Sequence, residues 1–374
     1  MKKYLEKNVY EALQDRLKFI FDNFDNIYVS FSGGKDSGLL LNMVLSYKRR
    51  NKIAKKIGVF HQDFEAQYQT TTDFVSRMFE NNLRDIEPYW VCLPMGSRCA
   101  VSNYQMYWYP WDPDKEELWV RPMPKMPYII NMDNNPFDFY RYKMVQEDLY
   151  AEFGEWYSRQ KKGKTICLLG IRADESLNRY RAYANDRKTI MQGNQWTTKM
   201  GENWWNAYPI YDWTTKDVWI ANGKFDYDYN RIYDLFWKAG LSISQMRVAS
   251  PYHESAKESL NLYRVLEPAT WVRVVSRVQG ANFGAIYGSS HALGARKIEL
   301  PPGHTWRSYV KFLLATLPEA MRRNYIEKFK TSIRFWWKKG GVVDEEAIKE
   351  LEACNYPIRH NGKSNYKSNK EKIA

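Results

Sequence analysis

The amino-acid sequence predicts an α/β fold: an open parallel sheet with helices on both faces, followed by an α-rich C-terminal subdomain. Short apolar runs alternate with amphipathic helical patterns through the first half of the chain, as expected of parallel strands joined by crossover helices. A glycine turn joins the first apolar run directly to a helical pattern, which is typical of Rossmann-like sheets. Beyond Gly201, strand patterns become rare and helical patterns dominate.

Four apolar runs in the first half of the chain are the predicted strands. They cover residues 26–31, 56–61, 89–93 and 165–171. Apolar residues at helical spacing predict helices around them, over residues 4–23, 39–44, 66–82 and 137–161. Residues 96–136 break the alternation because six prolines and three tryptophans are interspersed there. We interpret this stretch, the insertion, as a loop region or flap outside the core, either a substrate lid or a partner surface.

The domain organisation follows from these patterns. We expect an α/β domain over residues 1–225 that includes the insertion, an α-rich subdomain over residues 226–357 and a basic tail over residues 358–374. Helices are predicted in the second half of the chain over residues 215–222, 229–239, 256–278, 305–329 and 344–353.

Composition excludes several classes of protein. Apolar residues make up 44% of the 374 residues and charged residues 26%, which excludes wholesale disorder. No run approaches the roughly 18 to 20 apolar residues of a membrane span, so we expect a cytoplasmic protein without a membrane partner. The four cysteines form no CxxC pair and the five histidines are scattered, so neither an iron–sulfur cluster nor a zinc site is expected.

The net charge of +13 indicates a polyanionic partner, which is nucleic acid, a nucleotide or an acidic protein. From Met321 onward, 13 Lys and Arg residues stand against 7 Asp and Glu residues. The basic C-terminal region is therefore either a nucleic-acid contact or a solvated tail, and charge alone does not decide between them.

The sharpest local pattern is the octapeptide SFSGGKDS at residues 30–37, here called the glycine loop, between the first predicted strand and the next helix. Its glycines allow a tight turn and close approach of a ligand, while the helix directs unpaired N–H groups to the same place. Serine hydroxyls and a lysine ammonium add hydrogen-bond donors, and the aspartate can hold Mg²⁺. The loop therefore predicts an anion site. It matches neither GxxxxGK[ST] nor GxGxxG.

The glycine loop resembles the SGGxDS motif, or PP-loop, of the adenine-nucleotide α-hydrolase superfamily. The form is that of phosphoadenosine-phosphosulfate (PAPS) reductases and ATP sulfurylase small subunits. Three further segments occur in the order of that family. They are His61-Gln62-Asp63 after the second strand, GIRADES at residues 170–176 with Arg179 and Arg181 behind it, and YPIYDWTTKDVW at residues 208–219. The resemblance implies a Rossmann-like PP-loop fold and a bound adenine nucleotide, ATP or PAPS, with Mg²⁺.

The resemblance also implies which residues form the site. The nucleotide-binding residues are Ser30, Ser32, Gly33, Gly34, Lys35, Asp36, Ser37, Asp63, Gly170, Arg172 and Arg179. Three of them are expected to be catalytic: Lys35 and Arg172 stabilise developing charge, and Asp36 helps to hold Mg²⁺. Asp63 is expected near the base or ribose. For Arg179 and Arg181, a solvated helix face is an equally good explanation.

Weaker candidates are also present. His61 lies at a strand end beside the expected nucleotide, and Arg247 and residues 280–284 are expected either to line the crevice or to form turns. In the fourth segment we expect a structural role, in which Trp213 packs and either Asp212 or Thr214 caps the helix that begins near residue 215.

The chain departs from thiol-dependent PAPS reductases. Those enzymes carry a catalytic cysteine in a C-terminal Glu-Cys-Gly-[Leu/Ile]-His motif, whereas Cys354 stands in EACNY, without the glycine and the histidine. The long C-terminal part is similar instead to the DUF3440 group of PAPS-reductase-like proteins, typified by immunoglobulin-binding regulator A. That resemblance covers roughly residues 4–357 and implies a ParB-like partner protein.

Two functions remain open at this point. The first is an enzyme that cleaves ATP between the α and β phosphates for adenylyl or sulfur transfer, or that binds PAPS in the same pocket without this cleavage. The second is a non-catalytic, nucleotide-dependent regulator that acts with the ParB-like partner, with DNA, or with both. The missing reductase cysteine and the basic C-terminal region motivate the second.

Overall fold

The structure is a computed structural model that describes residues 6–185, 187–243, 245–253, 260–282 and 300–338. The predicted helix over residues 344–353, Cys354 and the basic tail lie outside the described residues. Within the described ranges, every helix is too short or too polar to span a lipid bilayer.

A seven-stranded sheet organises the first part of the chain, in the order β6-β3-β2-β1-β7-β9-β8. Its strands are β1 (Asn26–Ser30), β2 (Ile57–Gln62), β3 (Ile86–Val91), β6 (Ile129–Ile130), β7 (Thr165–Leu169), β8 (Thr197–Lys199) and β9 (Trp204–Ala207). Strand β1 lies between β2 and β7, with Val29 beside Val59 on one side and Leu168 on the other. Every pairing is parallel except that of β8 with β9. The predicted fold class is confirmed.

Helices pack on both faces of this sheet. Before, between and directly after the strands lie α1 (Val9–Asn23), α2 (Lys35–Arg50), α3 (Gln69–Glu80), α4 (Gln146–Gln160), α5 (Leu177–Ala184) and α6 (Thr215–Lys224). Because successive strand residues face opposite sides, Val29 packs with α1 and α2, whereas Tyr28 packs with Phe153 of α4. The sheet is therefore buried on both faces, as parallel sheets require.

The C-terminal helices are α7 (Ile232–Lys238), α8 (Leu262–Leu266), α9 (Pro268–Arg277), α10 (Trp306–Thr316) and α11 (Glu319–Lys338). The sequence predicts one helix over residues 256–278 and one over residues 305–329, but each is interrupted. Pro268 begins α9, and Pro318 separates α10 from α11. Proline has no N–H to donate and clashes with the preceding turn, so it begins a helix and does not continue one.

Part of the insertion lies in the core, which corrects the expectation of a flap outside it. It contains the short antiparallel pair β4 (Ser97–Arg98) and β5 (Tyr107–Trp108), and strand β6. Trp108 and Trp111 are each 1% exposed. The indole of Trp111 donates to the carbonyl oxygen of Asp63 at 3.0 Å, which ties the insertion to the end of β2.

A partly buried aspartate joins the end of α2 to the start of β3. Lys48 Nζ donates to Asp85 Oδ1 at 2.7 Å and Arg49 Nε donates to Asp85 Oδ2 at 2.8 Å. Burial raises the pKa of Asp85, but the hydrogen bonds from Lys48 and Arg49 outweigh it, so the pKa lies below its usual range. The stabilisation by Asp85 is thus present above the unfolded-state pKa of about 3.9 and is lost as the pH falls through the folded-state value.

We expect Asp85→Asn to lower the free energy of unfolding by about 1 to 2 kcal/mol at pH 7, and by progressively less as the pH falls below the unfolded-state pKa of about 3.9 toward the lower folded-state pKa of Asp85. Urea unfolding of both chains across this pH range measures the difference. A difference that stays constant from pH 7 to pH 3 would contradict the assignment.

Candidate functional site

A cavity of about 740 Å³, here called the main cavity, opens at the carboxyl ends of β1 and β7. The glycine loop and Gly170 form one wall, and α4 contributes Tyr150 and Phe153 to another. Tyr233 of α7 and residues 247–250 close it from the C-terminal part of the chain. Its volume lies within the range of small-molecule sites, about 300 to 1,000 Å³.

The backbone of the glycine loop needs glycine at its tightest point. Gly33 has φ +77°, and a Cβ at this residue would lie 3.0 Å from both Thr71 Cγ2 and Val75 Cγ2. Gly170 meets the loop from the end of β7, where a Cβ would lie 2.8 Å from the backbone nitrogen of Ser37. Helix α2 therefore begins directly against β7, with its first N–H groups at the carboxyl end of the sheet.

Two serine hydroxyls hold the loop in this shape. Ser37 Oγ accepts from the backbone N–H of Ser32 at 3.2 Å and donates to the carbonyl oxygen of Gly34 at 3.2 Å. The hydroxyl oxygens of Ser32 and Ser37 lie 2.9 Å apart. Both residues line the main cavity, so their hydroxyls are in place to bond an anion after a small rotation.

Three charged side chains form a row beside the loop. Lys35 Nζ lies 3.1 Å from Asp36 Oδ2, and Arg172 Nε donates to Asp36 Oδ1 at 2.6 Å. Arg172 also donates to Asp174 at 2.5 Å and is only 2% exposed. Lys35 and Asp36 line the main cavity, whereas Arg172 lies beneath Asp36. The structure therefore presents Arg172 as a support for Asp36, and not as a ligand that reaches into the cavity.

The same contacts bear on the expected magnesium site. Each oxygen of Asp36 faces a cationic group, so a metal ion bound there would lie beside the positive charges of Lys35 and Arg172. Across the described ranges, no cluster of three or more His, Cys, Asp or Glu side chains has the spacing of a metal site. Asp36 in this arrangement does not fit a resident metal ion.

The structure brings most of the predicted nucleotide-binding residues together. Those that line the main cavity are Ser30, Ser32, Gly34, Lys35, Asp36, Ser37, Gly170 and Arg179. Gly33 lies within the same loop and shapes its backbone. Arg179 reaches the cavity from α5 and lies 3.7 Å from Glu175. Arg181 is exposed and is not among the lining residues.

Asp63 is placed elsewhere, which corrects the expectation of a cavity residue. Its side chain is fully buried, where Arg121 Nη2 donates to it at 2.6 Å and Trp90 Nε1 donates at 2.8 Å. Burial raises the pKa of Asp63, but the charge of Arg121 and these hydrogen bonds outweigh it, so the pKa lies below its usual range. Asp63 anchors the insertion to the sheet.

His61 is also buried, and it is not among the residues that line the main cavity. Its Nδ1 lies 2.8 Å from the carbonyl oxygen of Phe31, which can only accept, so Nδ1 carries the proton. Burial lowers the pKa of the ring. A neutral histidine packed against Trp90 is a structural residue.

The remaining candidates divide between the two predicted roles. Arg247 lines the main cavity. Gly280, with φ +88°, lies against Ser102, while residues 283 and 284 of the predicted glycine run are outside the described residues. In the fourth motif, Thr214 caps α6 through the backbone N–H of Asp217, and Trp213 is buried. The predicted helix cap, made by Thr214 and not by Asp212, and the predicted packing of Trp213 are confirmed.

Several residues of the main cavity carry no local sequence signal. The aromatic part of its wall includes Tyr28, Phe60, Tyr150, Phe153, Trp204 and Tyr233. On β1, β2 and α4 these residues follow the pattern of core positions, so the sequence does not distinguish them from other core residues. Tyr233 is separated from the glycine loop by almost 200 residues, so no spacing rule connects the two.

Comparison with known proteins gives a family and a curated relative. The model of the family described as "Domain of unknown function (DUF3440)" matches residues 240–374. The uncharacterized protein YbdN of Escherichia coli (strain K12) is 35% identical over 358 residues, which cover 94% of this chain and 86% of that protein.

Among solved structures, a phosphoadenylyl-sulfate (PAPS) reductase from Candida auris aligns with a TM-score of 0.31 and 14% identity, over 63% of this chain and 93% of that one. FMN adenylyltransferase of Candida glabrata, in complex with FMN and the ATP analogue AMPCPP, aligns with a TM-score of 0.35 and 14% identity, over 62% and 63% of the two chains. Similarities this low carry no argument about function.

Proposed function

Because the chain belongs to the family of the protein YbdN, matches the DUF3440 model over residues 240–374 and carries a PP-loop sequence on a strand-to-helix turn, we propose that it binds an adenine nucleotide, ATP or PAPS. We propose further that it cleaves ATP between the α and β phosphates and transfers an adenylyl group, or activates an acceptor for sulfur transfer. The main cavity supports this proposal, because it joins the glycine loop and the start of α2 to an aromatic wall.

The two parts of the cavity suit the two parts of a nucleotide. Backbone N–H groups at the start of α2, two serine hydroxyls and the Lys35 ammonium are donors for phosphoryl oxygens. The aromatic wall, with Phe60 and Tyr150, offers apolar surface for a flat base. In an open sheet of parallel strands, ligands bind beyond the carboxyl ends of the strands, where this cavity lies.

In the proposed reaction, an acceptor oxygen attacks the α-phosphorus, the bond from that phosphorus to the bridging oxygen breaks, and pyrophosphate leaves. Lys35 stabilises the charge that develops on the phosphoryl oxygens, because its ammonium is already fixed beside the loop. Asp36 holds that ammonium, and Arg172 holds Asp36. Magnesium enters this scheme only as a part of the bound nucleotide.

The described cysteines give no support to thiol chemistry. Cys92, Cys99 and Cys167 are all buried, and burial raises the pKa of Cys167, which lines the cavity, to about 12. A thiol with so high a pKa is protonated at neutral pH and is a poor nucleophile. We therefore propose a transfer reaction that does not pass through a thiolate of these residues.

Calorimetric titration with ATP and with PAPS, followed by an assay of pyrophosphate release from ATP, tests the proposal. Micromolar binding of one of the two nucleotides is expected, since phosphoryl groups gain several charge-assisted hydrogen bonds in such a site. Tight binding of PAPS without pyrophosphate release from ATP would assign the pocket to PAPS. Failure of both nucleotides to bind at millimolar concentration would contradict the proposal.

A nucleotide-dependent regulator is the second candidate function. The described part of α11 favours it, because Arg322, Arg323, Lys328 and Lys330 stand there against Glu319 and Glu327. A basic helix of this kind suits nucleic acid or an acidic face of a ParB-like partner. DNA affinity measured with and without ATP, over a range of salt concentrations, tests the idea. An affinity that changes with neither ATP nor salt would exclude it.

A further inference from the structure

A tyrosine from the C-terminal part of the chain covers the glycine loop. The hydroxyl oxygen of Tyr233 accepts from the backbone N–H of Lys35, the first residue of α2, at 3.0 Å in a buried position. The same oxygen lies 3.5 Å from where a Cβ on Gly34 would be. Lys35 Nζ lies 5.7 Å from the centre of the Tyr233 ring. The hydroxyl thus sits where the loop, the ammonium and the helix start meet.

The segment that carries Tyr233 is held firmly against the loop. Asn230 is fully buried, and its side-chain amide donates to the carbonyl oxygen of Gly33 and to Thr71 Oγ1, both at 2.9 Å. Arg77 Nε donates to Asp228 at 2.9 Å. These bonds fix the segment at its start, and the Tyr233 ring itself packs edge-on against Trp219 at 5.3 Å. The position of the hydroxyl is therefore determined by the fold.

The Tyr233 hydroxyl makes only part of the hydrogen bonds of which it is capable. A phenol has one O–H donor and accepts through its oxygen, and the Lys35 N–H uses the accepting side. In the part of the chain that the structure describes, no group accepts the Tyr233 proton. Burial raises the pKa of Tyr233 well above its usual range, so the proton stays on the oxygen at neutral pH. Because Tyr233 lines the main cavity, a ligand there can supply the missing acceptor.

We propose that Tyr233 donates a hydrogen bond to a phosphoryl oxygen of the bound nucleotide, so that α7 completes an anion site begun by the glycine loop. The proposal rests on the proposed nucleotide binding and adds a ligand-binding residue that belongs to no motif. This assignment predicts that ligands with a diphosphate bind selectively, because the Tyr233 hydroxyl lies beside the start of α2 and not beside the aromatic wall. Inorganic pyrophosphate contains that group alone and is the simplest probe.

Titration of the full chain with pyrophosphate, ATP and adenosine tests the role of Tyr233. For Tyr233→Phe we expect the affinity for pyrophosphate and ATP to fall by about 10-fold or more, the value of one hydrogen bond to a charged group. Adenosine, which has no phosphoryl group, is expected to bind both chains equally. Tyr229→Phe is the matched control, because its hydroxyl bonds Asp234 at 2.9 Å and does not touch the loop.

The other outcomes separate this assignment from its rivals. Tighter pyrophosphate binding by Tyr233→Phe would show that the hydroxyl occupies the anion position, and it would overturn the proposal. Equal losses for adenosine and pyrophosphate, with a lowered melting temperature, would show a purely structural role and would overturn it as well. Affinities of Tyr233→Phe that equal those of the wild type for all three ligands would also overturn the proposal. Failure of the wild-type chain to bind any of the three ligands would remove the proposed function itself, and this assignment with it.

Discussion

Replacing Lys35 by methionine is expected to lower the rate of the proposed pyrophosphate release from ATP by about 100-fold or more, the usual cost of losing one preorganised group that stabilises transition-state charge. Lys35 is the cation of the glycine loop that lines the cavity, and its side chain is only 9% exposed. A charge that is largely shielded from solvent acts strongly on phosphoryl oxygens, because little water screens it. Methionine keeps much of the volume of the side chain and removes the charge together with its N–H donors.

The measurement is single-turnover release of pyrophosphate at saturating ATP, which separates the chemical step from binding. Lys18→Ala is the matched control, because Lys18 pairs with Asp22 on the exposed surface of α1, and its loss is expected to change the rate less than about 2-fold. Thermal unfolding of each variant reports on folding. A folded Lys35→Met chain with a wild-type rate would contradict the role of Lys35.

Replacing Glu65 by alanine will lower the free energy of unfolding by about 3 to 5 kcal/mol, because it leaves a buried arginine without its counter-charge. Glu65 is 0% exposed and accepts from Arg277 Nε at 2.8 Å. It also accepts from the backbone N–H groups of Trp111 and Val120, at 2.7 Å and 3.0 Å. One carboxylate therefore joins the loop after β2, the insertion and α9.

Urea unfolding measures this loss of stability. Glu319→Ala is the control, because Glu319 pairs with Arg323 on the exposed surface of α11. We expect that pair to contribute less than about 1 kcal/mol to the free energy of unfolding. In the double variant Glu65→Met/Arg277→Met, neither charge is left buried alone, so we expect part of the stability to return. A single variant within about 1 kcal/mol of the wild type would contradict the role of Glu65.

The parts of the fold that follow local rules were predictable from the sequence. The four predicted strands appear within a few residues of their expected bounds, because each is a run of buried apolar residues in a parallel sheet. Strand β9 was missed, since its four residues WWNA are too few to show a period. Strands β6 and β8 are shorter still, and tertiary pairing alone defines them.

In the candidate site too, some residues were predictable from local sequence and others depend on long-range packing. The glycine loop was predictable because turn, dipole and donors all lie within eight residues. The position of Asp63 was not, because Arg121 and Trp90, which bury it, follow it by 58 and 27 residues. A carboxylate at a strand end binds either a ligand or another part of the protein, and the choice depends on which cation the fold brings there. Tyr233 is the reverse case, a residue in an ordinary helical pattern that long-range packing places at the loop.

The central sheet finishes in a two-residue strand on one side and a three-residue strand on the other. Edge strands this short have few backbone N–H and C=O groups with which a strand from a neighbouring molecule could pair to extend the sheet. Strand-by-strand association at the edges of this sheet is thereby discouraged.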